Sequence, residues 1–254
     1  MSYVLRSCRG KIIVVDGGMQ GDAEYLRGFL APLGNHVDAW FISHPHPDHV
    51  DALTAILKNP GQLRLDHIYA SMPDEAWIAE HEPKPPTHIE TVRAFNRAVK
   101  SAGHRIEELA VGQRITFDCI QIEILGIKNP EITANAINNS GIVFRVADDQ
   151  KSVLFTGDLG VQGGQKLLKT TDPKKLRADY VQMAHHGQHG VDEDFYKAVQ
   201  PKYCLWPTPL WLWNNDNGKG KNTGPWQTLI VRQWMDNLNV KQHHLAANGL
   251  IRID

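Results

Sequence analysis

Short apolar runs rich in β-branched residues alternate along this chain with amphipathic stretches of helical period. "YVLRS" and "KIIVVD" flank "CRG" and predict a hairpin ending in Gly17 and Gly18. "DAEYLRGFLAPLG" then spaces Leu26, Phe29 and Leu30 along one helix face and stops at Pro32 and Gly34. "DAWFIS" reads as a buried strand, Val50 to Leu57 as a helix closed by "NPG", and "LDHIYAS" as a further strand. "EPKPP" is a stiff loop. After it, "THIETVRAFNRAVKSAG" predicts a long helix with Thr87 as N-cap and Glu90 placed for a capping box.

The second half is richer in strands. "RITFDCIQIEILG", "SGIVFRVA" and "SVLFTGD" are β-branched and aromatic, the last two joined by the turn "DDQK". A helix near Gly164 to Lys169 leads to the strand "ADYVQMAHHG". Helix "DEDFYKAV", strand "KYCLW", helix "PWQTLIVRQWMDNL" and a closing hairpin "QHHLAANGLIRI" complete the order. "IIVVDGG" and "VLFTGDLG" echo each other as apolar strands ending in an acidic, glycine-rich turn. No linker is long enough to divide the chain, so one α/β domain over residues 1–254 is expected.

Composition narrows the class. The 254 residues are 42% hydrophobic and 22% charged, and 27 basic against 28 acidic residues give a net charge of −1. That balance exerts no global pull on nucleic acid or membrane. No apolar run approaches the roughly 18 residues of a membrane span, and the N-terminus lacks an apolar signal core. Three scattered cysteines form neither a thiolate metal pattern nor an evident disulfide framework, so a reduced, cytoplasmic setting is expected.

The chemistry concentrates in "FISHPHPDHVDAL". His44, His46, Asp48 and His49 fall within six residues, where an apolar strand ends and an amphipathic run begins. Imidazole and carboxylate are the usual ligands of zinc and its first-row neighbours. His44 and His46, two apart, can reach one metal, while Asp48 and His49, beyond Pro47, can face a second. Pro45 and Pro47 limit backbone freedom and so lower the entropic cost of holding ligands ready. "TGDLG" offers Asp158 as a bridging carboxylate, and "AHHG" offers His185 and His186. Alternation through Val181, Met183 and His185 turns His185 inward as ligand and His186 aside or toward substrate. Single histidines at 36, 67, 81, 88 and 104 carry no such company and are given no role.

"SHPHPDH" resembles the H-x-H-x-D-H signature of the metallo-β-lactamase fold. "VVDGG", "LFTGD" and "MAHHG" are similar to its other landmarks, in the same order. Within that superfamily "NNSGIVFRV…VLFTGDLG…AHHG…PKY" resembles the hydrolase domain of ComEC-type DNA-uptake proteins, although "HHGQHG" replaces that branch's "HHGS" and its leading strand is not seen before "SYVL". The resemblance implies an αββα four-layer sandwich binding two divalent ions, Zn or Mn. The ligands would be His44, His46, Asp48, His49, Asp158 and His185, with Asp16 and Asn139 behind them and Asp48 and His186 serving catalysis. No histidine occurs near "ANAINNSG", so Asn138 or Asn139 stands where many relatives carry a ligand imidazole. An oxygen-richer site favours a harder ion such as Mn²⁺.

Such a site suits hydrolysis of a phosphoester, in nucleic acid or a small phosphodiester. A carboxylic ester, thioester or lactone is the alternative substrate, and a binding module without turnover the alternative class. Gln188 and His189, next to the histidine pair, are expected to meet substrate. So are Trp211 and Trp213 in the loop "LWPTPLWLWNNDNGKGKNTGPW", where indoles could stack on a ligand and Lys219 and Lys221 meet phosphate. Trp206 is expected to pack beneath that loop.

Overall fold

The computed structural model describes residues 1–254. Two compact units emerge, Met1–Ile142 and Val143–Asp254. Each combines a mixed sheet with helices, as the α/β reading requires.

In the first unit, β1 (Tyr3–Arg6) and β2 (Ile12–Val15) form the expected antiparallel hairpin, with Val4 opposite Val14. Helix α1 (Ala23–Leu30) leads to β3 (His36–Phe41), α2 (Pro47–Lys58) to β4 (Arg64–Ala70). Helices α3 (Glu75–His81) and α4 (Thr87–Ser101) then precede β5 (Ile106–Glu108). The sheet order is β1-β2-β3-β4-β5, and every pairing after the first is parallel. Parallel neighbours need crossovers, which α1, α2 and the α3–α4 pair supply. One face is sealed by Leu26 and Leu30 of α1, Val50, Leu53, Ile56 and Leu57 of α2, and Phe95, Ala98 and Val99 of α4. They pack on Ile12, Val14, Val37, Trp40 and Ile68 of the strands. Full burial of Val50, Leu53 or Ile56 contributes roughly 1.5–3 kcal/mol each, which pins α2 against β3. A hairpin, β6 (Arg114–Phe117) and β7 (Ile120–Gly126), and the short α5 (Ala136–Asn139) complete this unit.

The second unit repeats the connectivity. β8 (Val143–Ala147) and β9 (Ser152–Phe155) pair antiparallel, followed by α6 (Val161–Thr170), α7 (Pro173–Leu176) and β10 (Tyr180–Gln182). Then come α8 (Glu193–Val199), β11 (Tyr203–Trp206), α9 (Leu210–Trp213), α10 (Thr228–Asn237) and β12 (Gln242–Leu245). β9, β10, β11 and β12 lie side by side, all parallel. The echo seen in the sequence is thus structural: Asp16 and Asp158 each follow the second strand of a hairpin that opens a parallel run.

Several expectations change. Thr87 lies inside α4 rather than capping it; Pro86 holds the cap position, because its fixed φ already suits a first turn. The closing hairpin is absent: β12 pairs parallel with β11, and the chain after Gly249 (φ 100°) forms no strand. Helix α3 was not anticipated; Asp74 caps it by accepting from Trp77 N. Cysteines 8 and 119 form a disulfide, Cα atoms 6.1 Å apart, joining the β1–β2 turn to the β6–β7 turn. The spacing of the cysteines gives no local sign of this pairing, since the two lie 111 residues apart. Cys204 is buried and free.

Candidate metal centre

The histidine cluster straddles the β3–α2 junction. His46 is the N-cap of α2, Pro47 its first residue, and Asp48 and His49 complete the first turn. Proline is favoured there because its missing N–H has no helical partner to lose. Asp48 and His49 are therefore helical rather than part of a free loop, and helix geometry sets their separation. His44, His49, Ser43 and Asp16 are all at most 1% exposed, and His46 is 9% exposed.

Asp16 organises this group. It sits at φ 54°, a left-handed conformation that aspartate tolerates better than most residues. Its Oδ1 accepts from Ser43 N at 2.8 Å, while its Oδ2 accepts the Ser43 hydroxyl and His49 Nδ1–H, each at 2.8 Å. The Ser43 hydroxyl in turn lies 3.0 Å from His44 Nδ1 and accepts that ring's N–H. A neutral imidazole has one N–H and one lone pair. Both His44 and His49 thus spend Nδ1 on protein acceptors and keep Nε2 as the donor nitrogen, the usual arrangement behind metal-binding histidines. His44 Nε2 comes within 3.1 Å of His46 Nδ1, and His49 Nε2 within 3.4 Å of Asp48 Oδ2. The Asp48 side chain is 36% exposed and is the solvent-facing member.

The "NNSG" segment lies beside this cluster. Ile142 N donates to Ser43 O at 2.8 Å, and a Cβ added to Gly141 would meet His44 Cβ at 3.6 Å. Asn139 turns its amide nitrogen to Ala134 O. Asn138 donates to Asn135 Oδ1, and its own Oδ1 is buried without a hydrogen bond.

Two residues that the sequence did not flag face His46. Glu82, at the end of α3, places Oε1 3.5 Å from His46 Nε2 and 3.2 Å from His88 Nδ1. Its Oε2 accepts from Ile137 N at 2.8 Å. Burial alone would raise the Glu82 carboxyl, but the two imidazoles and the Ile137 N–H outweigh it and hold the group well below the usual carboxylate range. Neither residue has a local signature, since both lie a helix and a proline-rich loop away from the ring they meet.

In the second unit, Asp158 follows β9 and is 2% exposed. The alternation expected through His185 fails because β10 ends at Gln182 and both histidines lie in a turn, at φ 49° and 56°. The two rings reach Asp158 Oδ2 together: His186 Nε2 at 3.3 Å and His185 Nε2 at 3.9 Å. His186 Nδ1–H donates to Pro207 O at 2.7 Å, and His185 Nδ1 makes a longer contact, 3.3 Å, to His189 O. Gln182 ties this turn to β9, donating to Gly157 O while its Oε1 accepts from Thr156 N.

The turn rests on Trp206, which is 1% exposed and donates to His243 Nδ1 at 2.9 Å, as its packing role requires. Trp213 is half-buried, edge-on to Trp206, and covered by the Arg232 guanidinium 4.0 Å above its ring. Trp211 is 49% exposed and leans on Trp226. Gln188 is half-buried, and His189 is exposed.

The sequence profile described as the metallo-beta-lactamase superfamily matches residues 1–190. The chain belongs to that superfamily, whose members are in general metal-dependent hydrolases, and the α/β fold is the expected one. Among solved structures, the metallo-beta-lactamase fold protein YhfI from Bacillus subtilis is similar at a TM-score of 0.58 and 16% identity, over 99% of this chain and 91% of that one. A variant of CmlA beta-hydroxylase is similar at a TM-score of 0.53 and 15% identity, over 96% of this chain and 52% of that one. No curated protein sequence matches. No helix is long and apolar enough to cross a membrane.

Proposed function

We propose that the chain is a dinuclear phosphodiesterase of nuclease-like chemistry. The ligands are His44, His46, Asp48, His49, Asp158 and one imidazole of the His185–His186 pair. The observation that carries this reading is the locking of the rings in the first unit. Asp16 and Ser43 hold the rear nitrogens of His49 and His44, so their front nitrogens are committed as donors before any ion arrives. The residues fit divalent ions by chemistry as well, being imidazoles and carboxylates with a spare amide oxygen on Asn138. That mixture suits Zn²⁺ or Mn²⁺.

Two bound ions would supply an attacking hydroxide and charge stabilisation for the ester oxygens. The chain supplies the rest. Of the histidine pair, His186 is the better ligand, since its Nδ1–H is firmly given to Pro207 O and its Nε2 lies nearer Asp158. This inverts the order that strand parity gave, and leaves His185 to meet a leaving group. Asp48, whose side chain is partly open to solvent, would hold the proton that an activated water gives up. The phosphodiester preference, and closeness to the ComEC-type hydrolase domain, are supported by the "NNSG…TGDLG…HHG" succession. With a net charge of −1, recognition of nucleic acid would depend on local groups such as Lys219 and Lys221.

Metal analysis of the purified chain, with hydrolysis of bis(p-nitrophenyl) phosphate, a p-nitrophenyl carboxylate and a lactone, tests the reading. Two equivalents of metal and turnover of the phosphodiester are expected. Cleavage of the carboxylate or lactone alone moves the substrate class, and metal loading with no turnover leaves a binding module.

A further inference from the structure

Glu82, at the end of α3, and His88, in α4, meet His46 at the start of α2, and the helices behind the first two share a small core with α5. Ile78 of α3, Val92 of α4 and Ile137 of α5 pack together, with Trp77 and Ile89 against them. Glu82 is fixed at both ends: its backbone N–H donates to Ile78 O at 2.8 Å, and its Oε2 accepts from Ile137 N. The His46 and His88 rings lie 4.3 Å apart with Glu82 Oε1 facing a nitrogen of each. His46 Nε2 is buried with no hydrogen bond formed, and Glu82 Oε1, 3.5 Å away, is the carboxylate oxygen placed to take its proton.

We propose that Glu82 is a positioning residue for His46: its Oε1 takes the Nε2–H, so that Nδ1 keeps its lone pair beside His44 Nε2. The inference rests on the reading of His46 as a metal ligand and adds what fixes its tautomer. An imidazole that gives Nδ1 to an ion must carry its proton on Nε2, and a buried N–H needs an acceptor. Glu82 is the carboxylate within reach. His88 bounds the same oxygen from the other side and limits its movement. His44 and His49 are locked through Nδ1 by Ser43 and Asp16; Glu82 does the same for the ring that faces the other way.

The test uses Glu82→Gln and Glu82→Ala in the full chain. In Glu82→Gln the single amide oxygen stays with Ile137 N–H, so the amide N–H₂ opposes His46 Nε2 and drives the proton to Nδ1. In Glu82→Ala the anchor to Ile137 is lost, but water can accept Nε2–H. The two orders therefore cross: stability falls from wild type to Gln to Ala, whereas Zn²⁺ affinity falls from wild type to Ala to Gln. Chelator competition should show one equivalent weakened about 10–100-fold in Glu82→Gln, the usual range for losing an outer partner of a ligand. Long-range ¹H–¹⁵N spectra should report the switched His46 tautomer. Equal affinity in wild type and Glu82→Gln overturns the proposal, as does loss of a whole equivalent, which would make Glu82 a ligand itself. A wild-type chain that binds no Zn²⁺ refutes the metal reading itself, an outcome distinct from either.

Discussion

Gly187 joins the histidine pair to the core of the second unit, and replacing it tests how that pair is held. Its φ is +76°, and a Cβ built there would lie 2.3 Å from Trp206 Cζ3 and 2.4 Å from Cε3. Both distances are far inside van der Waals contact. The indole cannot swing away easily, since it is 1% exposed, bonded to His243 and packed edge-on against Trp213 at 5.1 Å. The left-handed backbone costs an alanine about 1–2 kcal/mol, and overpacking a fixed ring adds about 1–3 kcal/mol. Gly187→Ala should therefore lose about 2–5 kcal/mol in urea unfolding and displace His186 from Pro207 O, and on the proposed reading of His186 it should also lower metal occupancy. Trimming the ring in Trp206→Phe relieves part of the clash, so the double variant should be more stable than the sum of the single losses predicts. A loss below about 0.5 kcal/mol, or strict additivity with Trp206→Phe, would refute the close approach and the strain assigned to it.

Asp16→Asn should cost about 1.5–3 kcal/mol through loss of charge-assisted bonds, and weaken metal about 10–100-fold, because an amide facing His49 Nδ1 favours the wrong tautomer; unchanged affinity by chelator competition would remove Asp16 from that role. Trp213→Ala should destabilise by about 2 kcal/mol or more, since Arg232 and Trp206 both lose a partner. Trp211→Ala should change stability by no more than about 0.5 kcal/mol and raise KM if that indole meets substrate; thermal melts and steady-state kinetics separate the two. Burial would raise the Asp38 carboxyl, but Lys11 and the Ile12 N–H hold it below its ordinary range. A depressed folded value gives stability that is present above the unfolded pKa, near 4, and lost as pH falls through the folded one. The stability gap between wild type and Asp38→Asn should accordingly be full at neutral pH and shrink in acid, as urea midpoints across pH would show.

The candidate cluster at residues 44–49 was legible because it is local: four potential donors in six residues, with two prolines, leave a mark that needs no tertiary information. Asp16 was visible only as an acidic strand end; that it gathers three donors at once depends on β2 and β3 lying side by side. Strand parity could not order the histidine pair, because it holds only while a strand lasts and β10 stops before the pair. Glu82 and His88 left no trace, for they come from the end of α3 and from α4, whose packing with α5 rather than any spacing sets them side by side. The asparagine-glycine signal near the C-terminus is an ordinary turn cue that the parallel pairing of β12 with β11 overrode.

Because His46, Asp48 and His49 ride on the opening turn of α2, they move with the helix that carries Val50, Leu53 and Ile56 into the apolar interior. On the proposed metal reading, drawing these side chains apart to shed an ion would mean tearing the interior open, so demetallation there would proceed by competition for the ion and not by breathing of the protein around it.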